Sequence, residues 1–378
     1  MSPIAIGLVL LVVAVAAVLL LRRRPADPAA APLVGSARTV PPSAVATRHG
    51  EAQVATAETA ARAQPTAPPP ELAAFTLVRA LDLAPDRAAR YTATFRDVPR
   101  PPRLLHQLLS PDFVNDASSA ELADLIRPEP LLAAKVLAAV NSPLYGLQRP
   151  VAGVDQAVVY LGVDTVRSLC MQYMLMASFK TDRPECQRLL DTVWSASAVA
   201  SELAQRLAQQ LGLEQRGALV SSVVLSFLGR LATVAATPAG ILSAIPPRGL
   251  LERKDAEQRK LGLSASEIGR LLMTDWQLPA EVTADAADLD RLLAQTRPDP
   301  DSARSNRLAL GYLCARLGER LAHGELVQLS DFDLDTDPGL ELFHLPTHFD
   351  PIVQARLPRL LKDAALSQVI VRLQPAGR

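Results

Sequence analysis

Metal-dependent and acid–base chemistry needs imidazoles, thiolates and carboxylates that converge. This chain of 378 residues supplies only five histidines and three cysteines. His344-x-x-x-His348 has the spacing of two ligands on one helical face, and Asp350 follows. Pro346 lies between them and breaks such a helix, which leaves a loop pair with no third placed ligand. His49, His106 and His323 stand alone in the sequence. Cys170, Cys186 and Cys314 form no C-x-x-C pair, and an odd, scattered set is not a disulfide framework. Cys170 and Cys314 fall in apolar helical stretches and read as small core residues in a reducing compartment. Gly146, Gly153, Gly162 and Gly212 are scattered, so they build no phosphate loop, and no Gly-x-Ser-x-Gly elbow occurs. The acidic run over 331–337 lacks the glycine and glutamate of an EF-hand loop. These patterns lead us to expect no catalytic residue, no cofactor and no metal site.

The composition narrows the fold and the partners. Hydrophobic residues make up 49% of the chain and aromatics only 4%, so the core is built from Leu, Val, Ile and Ala. Leu- and Ala-rich runs with little strand-like alternation predict an all-α protein. Lys plus Arg and Asp plus Glu each number 39. A net charge of zero gives no electrostatic argument for nucleic acid, and none is expected as a partner.

Residues 4–21 are almost purely aliphatic, broken only by Gly7, and Arg22, Arg23 and Arg24 follow at once. At 1.5 Å per residue they span roughly 27 Å, close to the ~30 Å hydrocarbon core. A single transmembrane helix is expected, with the arginines inside, the N-terminus outside and the remaining chain in the cytoplasm. A cleaved signal peptide is the alternative, but its basic n-region and small-x-small site are absent. Residues 22–70 are rich in Pro and Ala and read as a disordered linker. The membrane is therefore an expected partner, through an anchor in the inner (cytoplasmic) membrane.

The elements that would position a site begin with a helical lead-in over 71–96. Leu72, Phe75, Leu77 and Val78 suggest a first helix over 71–80, and a second is expected over 85–95. Pro99 to Pro102 opens the main domain. Ser118 reads as an N-cap with Glu121 behind it. Pro130 starts a helix whose Leu131, Leu132, Val136, Leu137 and Val140 cover more than one face, so it is expected to be central and buried. Asn141-Ser142-Pro143 stops it, because Asn tolerates a left-handed helix end and Pro prevents continuation. Capping explains that turn, with a ligand role for Asn141 or Tyr145 as the alternative. A helix over 154–161 ends at Gly162, with Asp164 as cap for a helix over 165–179. This pair suggests helix-turn-helix, but Leu169, Cys170, Met171, Met174 and Leu175 make the second a core helix, not a groove reader. Arg253-Lys254 and Arg259-Lys260, interspersed with Glu252, Asp255 and Glu257, read as an exposed, mixed-charge helix. An amphipathic helix is expected over 302–321, with final helices over 352–361 and 364–373.

Several of these segments resemble the HDOD family, the HD-related output domain of bacterial signalling proteins. The stretch from Pro130 through Asn141, Ser142 and Tyr145 resembles its signature, and the helix ending Leu161-Gly162 is similar to another of its segments. Trp194-Ser-Ala-Ser resembles a Trp-x-His-Ser helix with Ala196 in the His place. Leu225 to Leu231, containing Gly229, resembles the His-Asp helix of related HD phosphohydrolases, with Ser226 and Phe227 substituted. Residues 261–269, ending in Gly269, resemble a Gly-x-x-His-x-x-x-Gly segment with Ala265 for His. Residues 271–279, with Trp276 and Pro279, resemble Leu-Leu-x-x-Trp-x-Leu-Pro, and a later His-His pair falls at Leu289-Asp290.

The resemblance spans 97–295 and leaves 296–378 as a C-terminal helical extension. It implies an HD-like multi-helix bundle, Asn141, Ser142, Tyr145, Gly162, Trp194, Gly229, Gly269, Trp276 and Pro279 as motif residues with structural or binding roles, and loss of the HD metal ligands. Ser, Phe, Ala and Leu cannot replace those ligands. The expected function is a membrane-tethered, non-catalytic signalling protein that binds an unknown partner protein or small ligand. The alternatives are a metal-dependent phosphohydrolase with displaced ligands and a purely structural scaffold. Nothing in the sequence sets the oligomeric state.

Overall fold

The computed structural model describes residues 67–374, apart from 96–97, 296–297, 335 and 337–338. The expected anchor over 4–21 and most of the 22–70 linker lie outside the described residues. Those described fall in one compact unit, Ala63–Arg378, and are all-helical with no strand among them.

The lead-in departs from the sequence expectation. A helix forms only over Pro70–Ala74 (α1), followed by extended chain to a 3-10 turn at Ala80–Asp82. From Phe75 to Arg79 partial burial and exposure alternate, as in a strand. The β-branched Thr76 and Val78 favour that backbone, and side chains from elsewhere in the fold take up its polar groups. α2, Pro85–Thr94, forms as expected.

Short helices open the domain: α3 Arg103–Leu108, α4 Pro111–Asp116 and α5 Ser119–Ile126. Ser118 and Glu121 form a full capping box at the start of α5. α6, Pro130–Val140, is less central than expected. Leu132, Val136 and Val140 are buried, Leu137 is half-buried, and Leu131 is 75% exposed. α7, Val154–Leu161, ends at Gly162, whose φ of 85° favours glycine. α8 covers Val163–Ser178. Asp164 is not its cap; it lies in the first turn and pairs with Arg167 at 2.9 Å.

The centre is formed by two long helices, α9 (Pro184–Leu211) and α16 (Ser302–Ala322), packed along each other. Between them in sequence come α10 Arg216–Ser226, α11 Leu228–Ala236, α12 Ala239–Leu242, α13 Leu250–Leu261, α14 Ala265–Asp275 and α15 Ala280–Asp288. The stretch 216–236 has the length and apolarity of a membrane span, but 83% of its most apolar window is buried inside the bundle, as in a core helix. α16 is buried on most sides rather than amphipathic. Gly318 allows its close approach to α9, since a Cβ there would sit 2.4 Å from the Ala196 carbonyl. The expected extension therefore includes a central strut of the bundle. α17 Pro351–Leu361 and α18 Ala364–Leu373 close the fold, and α18 packs on α9.

Candidate functional site

An open cleft of about 430 Å³ lies among α6, α8 and α9, a volume within the small-molecule range. The α6 rim contributes Lys135, and the following turn contributes Ser142, Leu144 and Tyr145. Thr165, Ser168, Gln172, Tyr173 and Met176 come from one face of α8, and Ser201, Glu202 and Gln205 from one face of α9. Both sets follow the three- and four-residue spacing that aligns side chains on a helix. Leu373, the last residue of α18, closes one wall.

Hydrogen bonds hold the polar side chains of this cleft in place. The Gln172 amide donates to Ser168 Oγ at 3.1 Å and to Ser201 Oγ at 3.0 Å. Gln205 donates to Thr165 Oγ1 at 2.6 Å. Glu202 pairs with Arg206 at 2.5 Å. Lys135 Nζ stands 5.7 Å from the Tyr173 ring centroid, within cation–π range. Burial, with the Glu202 carboxylate nearby, pushes the Tyr145 phenol up to about 12, so it remains a proton donor at neutral pH.

Asn141 stands behind the cleft as a clamp. Its amide donates to the Leu137 and Val151 carbonyls at 2.9 and 2.8 Å, and its carbonyl accepts from the Val151 amide at 2.8 Å. These bonds pin the loop over 143–151 and so place Tyr145. The left-handed conformation expected of Asn141 is not used, since its φ is −85°.

A second polar region is closed. Gly229 on α11 and Gly269 on α14 let these helices cross backbone to backbone, and a Cβ on Gly229 would lie 1.7 Å from the Ala265 carbonyl oxygen. Around this crossing run buried ion pairs. Lys254 Nζ meets Asp290 at 2.5 Å and donates to Ser266 Oγ at 2.9 Å. Arg316 meets Asp290 at 3.3 Å and Glu319 at 2.7 Å, and Arg253 meets Glu319 at 2.8 Å. Glu257 pairs with Arg230 and accepts the Ala265 amide at 2.7 Å. Alongside, Arg270 and Arg304 converge on Asp288.

The expectation of an exposed α13 holds at Glu252, Arg259 and Lys260 but fails on its other face. Arg253, Lys254 and Glu257 are buried because α11, α16 and the 289–293 turn bring them opposite charges. Burial alone would raise the two acids, but the cations outweigh it. Lys254 and Arg316 hold Asp290 well below the usual carboxylate range, and Arg253 and Arg316 bring Glu319 down to about 2.

The HDOD domain family matches residues 98–291, about half of the chain. The chain belongs to the HDOD family. Two solved structures agree with that fold. An HDOD domain protein of unknown function from Geobacter sulfurreducens has a TM-score of 0.53 at 19% identity, over 76% of this chain and 97% of its own. A protein from Shewanella amazonensis SB2B, provisionally named a phosphohydrolase, has a TM-score of 0.53 at 20% identity, over 76% and 98%. A Marinobacter aquaeolei VT8 protein, provisionally named in signal transduction, has a TM-score of 0.48 at 20% identity, over 75% and 60%. No curated protein matches the chain.

Among the HDOD motif residues, the structure brings Ser142 and Tyr145 into the cleft, with Asn141 supporting them. Gly229 and Gly269 meet at the helix crossing. Trp194 and Trp276 are buried, and Trp276 lies 6.4 Å from the Phe179 ring. Gly162 terminates α7. Pro279 starts α15 and borders a separate cleft of about 540 Å³ with Asp285 and Arg304.

The positions where the resemblance puts HD metal ligands hold Ala196, Ser226, Phe227, Ala265 and Leu289-Asp290. Asp290 alone has a ligand-type side chain, and two cations already engage it. This donor set does not fit a metal. Among the described residues no group of three or more His, Cys, Asp or Glu converges for a metal. His348 bonds the Gln295 carbonyl at 2.9 Å, and Asp350 caps α17 while accepting from Asn306.

Sequence reasoning missed Lys135, Gln172, Gln205 and Ser201 as cleft residues. The signal was present: polar residues at 165, 168 and 172 recur at helical spacing on a helix read as core.

Proposed function

We propose that this HDOD protein is a non-catalytic regulatory module of bacterial signal transduction, held at the inner membrane by residues 4–21 with its domain in the cytoplasm. It acts by engaging a signalling partner or small ligand through the α6–α8–α9 cleft. One observation carries this reading: the charged groups around the substituted HD positions are consumed by one another, while ordered amides and hydroxyls line an open cleft. A ligand that meets pre-positioned polar groups loses little of its binding energy to ordering them. Tethering would raise the local concentration of a partner at the membrane.

The test is capture by the full chain from membranes, crosslinked in place, with wild type set against Gln172→Ala/Ser201→Ala. The account predicts specific partners that are lost in the variant while its melting curve is kept. A partner set unchanged by the variant, and by any signalling nucleotide, would favour a plain scaffold.

A further inference from the structure

The extended lead-in over 75–80 lies outside the HDOD match, and it is held in an unusual way. The Gln258 side-chain amide donates to the Thr76 carbonyl at 3.0 Å and accepts from the Val78 amide at 2.6 Å. Those are the two bonds that the N–H and C=O of one residue in a parallel neighbouring strand would make around Leu77. Two residues on, along the same edge, the Ala80 amide donates to Glu267 Oε2 at 2.8 Å. A helical side chain thus imitates a strand, and the contacts read backbone rather than side chains. Among residues 76–80 only Ala80 is buried, at 5% exposed.

Two further observations bear on how firmly this segment is held. Glu267 is fully buried, yet its Oε1 has no hydrogen-bond partner, and the buried Arg79 Nε has none either. Each such atom weakens the docked state relative to a better-matched occupant. Meanwhile α13 and α14 are held by contacts that do not involve the lead-in: Lys254–Asp290, Arg253–Glu319, Arg270–Asp288 and the Gly229–Gly269 crossing. Val78 and Leu81 remain 39% and 65% exposed. The receiving edge is therefore built independently of what lies on it, and the lead-in can open as a local unit.

We infer that the Gln258–Glu267 edge is a binding site for extended polypeptide backbone, filled in cis by residues 76–80 and exchangeable for an extended segment of a partner protein. The segment it fits has free N–H groups at two alternate positions and a small side chain at the second. The resident strap competes at an effective concentration of roughly millimolar, so an incoming segment gains access when the strap is loosened.

The inference is tested on the full chain with a fluorescent synthetic peptide spanning residues 71–84. Val78→Pro removes the N–H that Gln258 accepts and leaves the edge intact. It should bind the peptide roughly tenfold or more tighter than wild type. Gln258→Leu loosens the strap and also removes the site, so it should show no gain. Folded Val78→Pro with no gain, or an equal gain in Gln258→Leu, overturns the inference. Hydrogen exchange of the wild-type chain gives a second measurement that needs no variant. The Val78 and Ala80 amides should exchange well before those of α16, and exchange only at the rate of global unfolding also overturns it.

Discussion

The ion-pair cluster between α11, α13, α14 and α16 and the cleft between α6, α8 and α9 are both polar, and both sit among the helices of one bundle. They differ in what their polar groups face. In the cluster, Lys254, Arg316 and Arg253 are buried against Asp290 and Glu319. In the cleft, Gln172 and Gln205 are ordered by serine and threonine hydroxyls at the edge of open space. Polarity inside a fold therefore does not by itself mark a site. A buried ion pair answers the desolvation of its own charges, whereas an ordered group beside a void can still meet a ligand.

The contrast breaks most readily at the cluster. Asp290→Ala leaves Lys254 and Arg316 buried without their shared carboxylate, and should cost about 3–5 kcal/mol in urea unfolding. A loss under about 1 kcal/mol would mean the cluster is not structural. Gly229→Ala should cost about 1–3 kcal/mol, because backbone rather than a flexible side chain blocks the new methyl. Gly162→Ala meets no neighbour, and its cost, also about 1–3 kcal/mol, comes from the backbone alone, since φ 85° with ψ 154° is a region that glycine alone enters readily.

Acid sharpens the same comparison. Burial, outweighing the pull of Glu319, lowers His323 from 6.5 to about 4. The unfolded chain then binds more protons between those values, so stability falls as pH drops from about 6.5 to 4. Glu319, depressed to about 2, adds its own loss as pH falls from the unfolded carboxylate range toward 2. The urea midpoint should decline across both windows, and His323→Gln should flatten the upper one.

The cleft should respond in the opposite sense. Gln172→Ala with Ser201→Ala should cost roughly 1 kcal/mol or less in stability, while partner capture falls. Capture at wild-type levels would dissociate binding from the cleft. The smallest effect is expected for Ser226→Ala. Its hydroxyl bonds only the Val223 carbonyl of its own helix, and urea midpoint and capture should both stay near wild type.

What the sequence made legible was mostly local. Ser118 with Glu121, Gly162 and the Pro130 start are short-range signals, and the helices they delimit form where expected. Asn141 was legible as a terminator, but its mechanism was not, because Val151 is brought back to it by a loop. The misreadings share a cause in distant partners. Arg253 and Lys254 look exposed until residues 290 and 319 arrive beside them. Residues 71–80 look helical until Gln258 and Glu267 take up their backbone. Ser142 and Tyr145 were picked out by family resemblance, whereas the α8 and α9 residues that complete their cleft lie in runs whose apolar neighbours suggested core alone.

The most direct test of the central claim is metal analysis of the purified chain together with hydrolysis of bis(p-nitrophenyl) phosphate. The account predicts substoichiometric metal and no turnover, unchanged by added Mn, Fe or Zn. Tightly held, stoichiometric metal with turnover that chelation abolishes would contradict it.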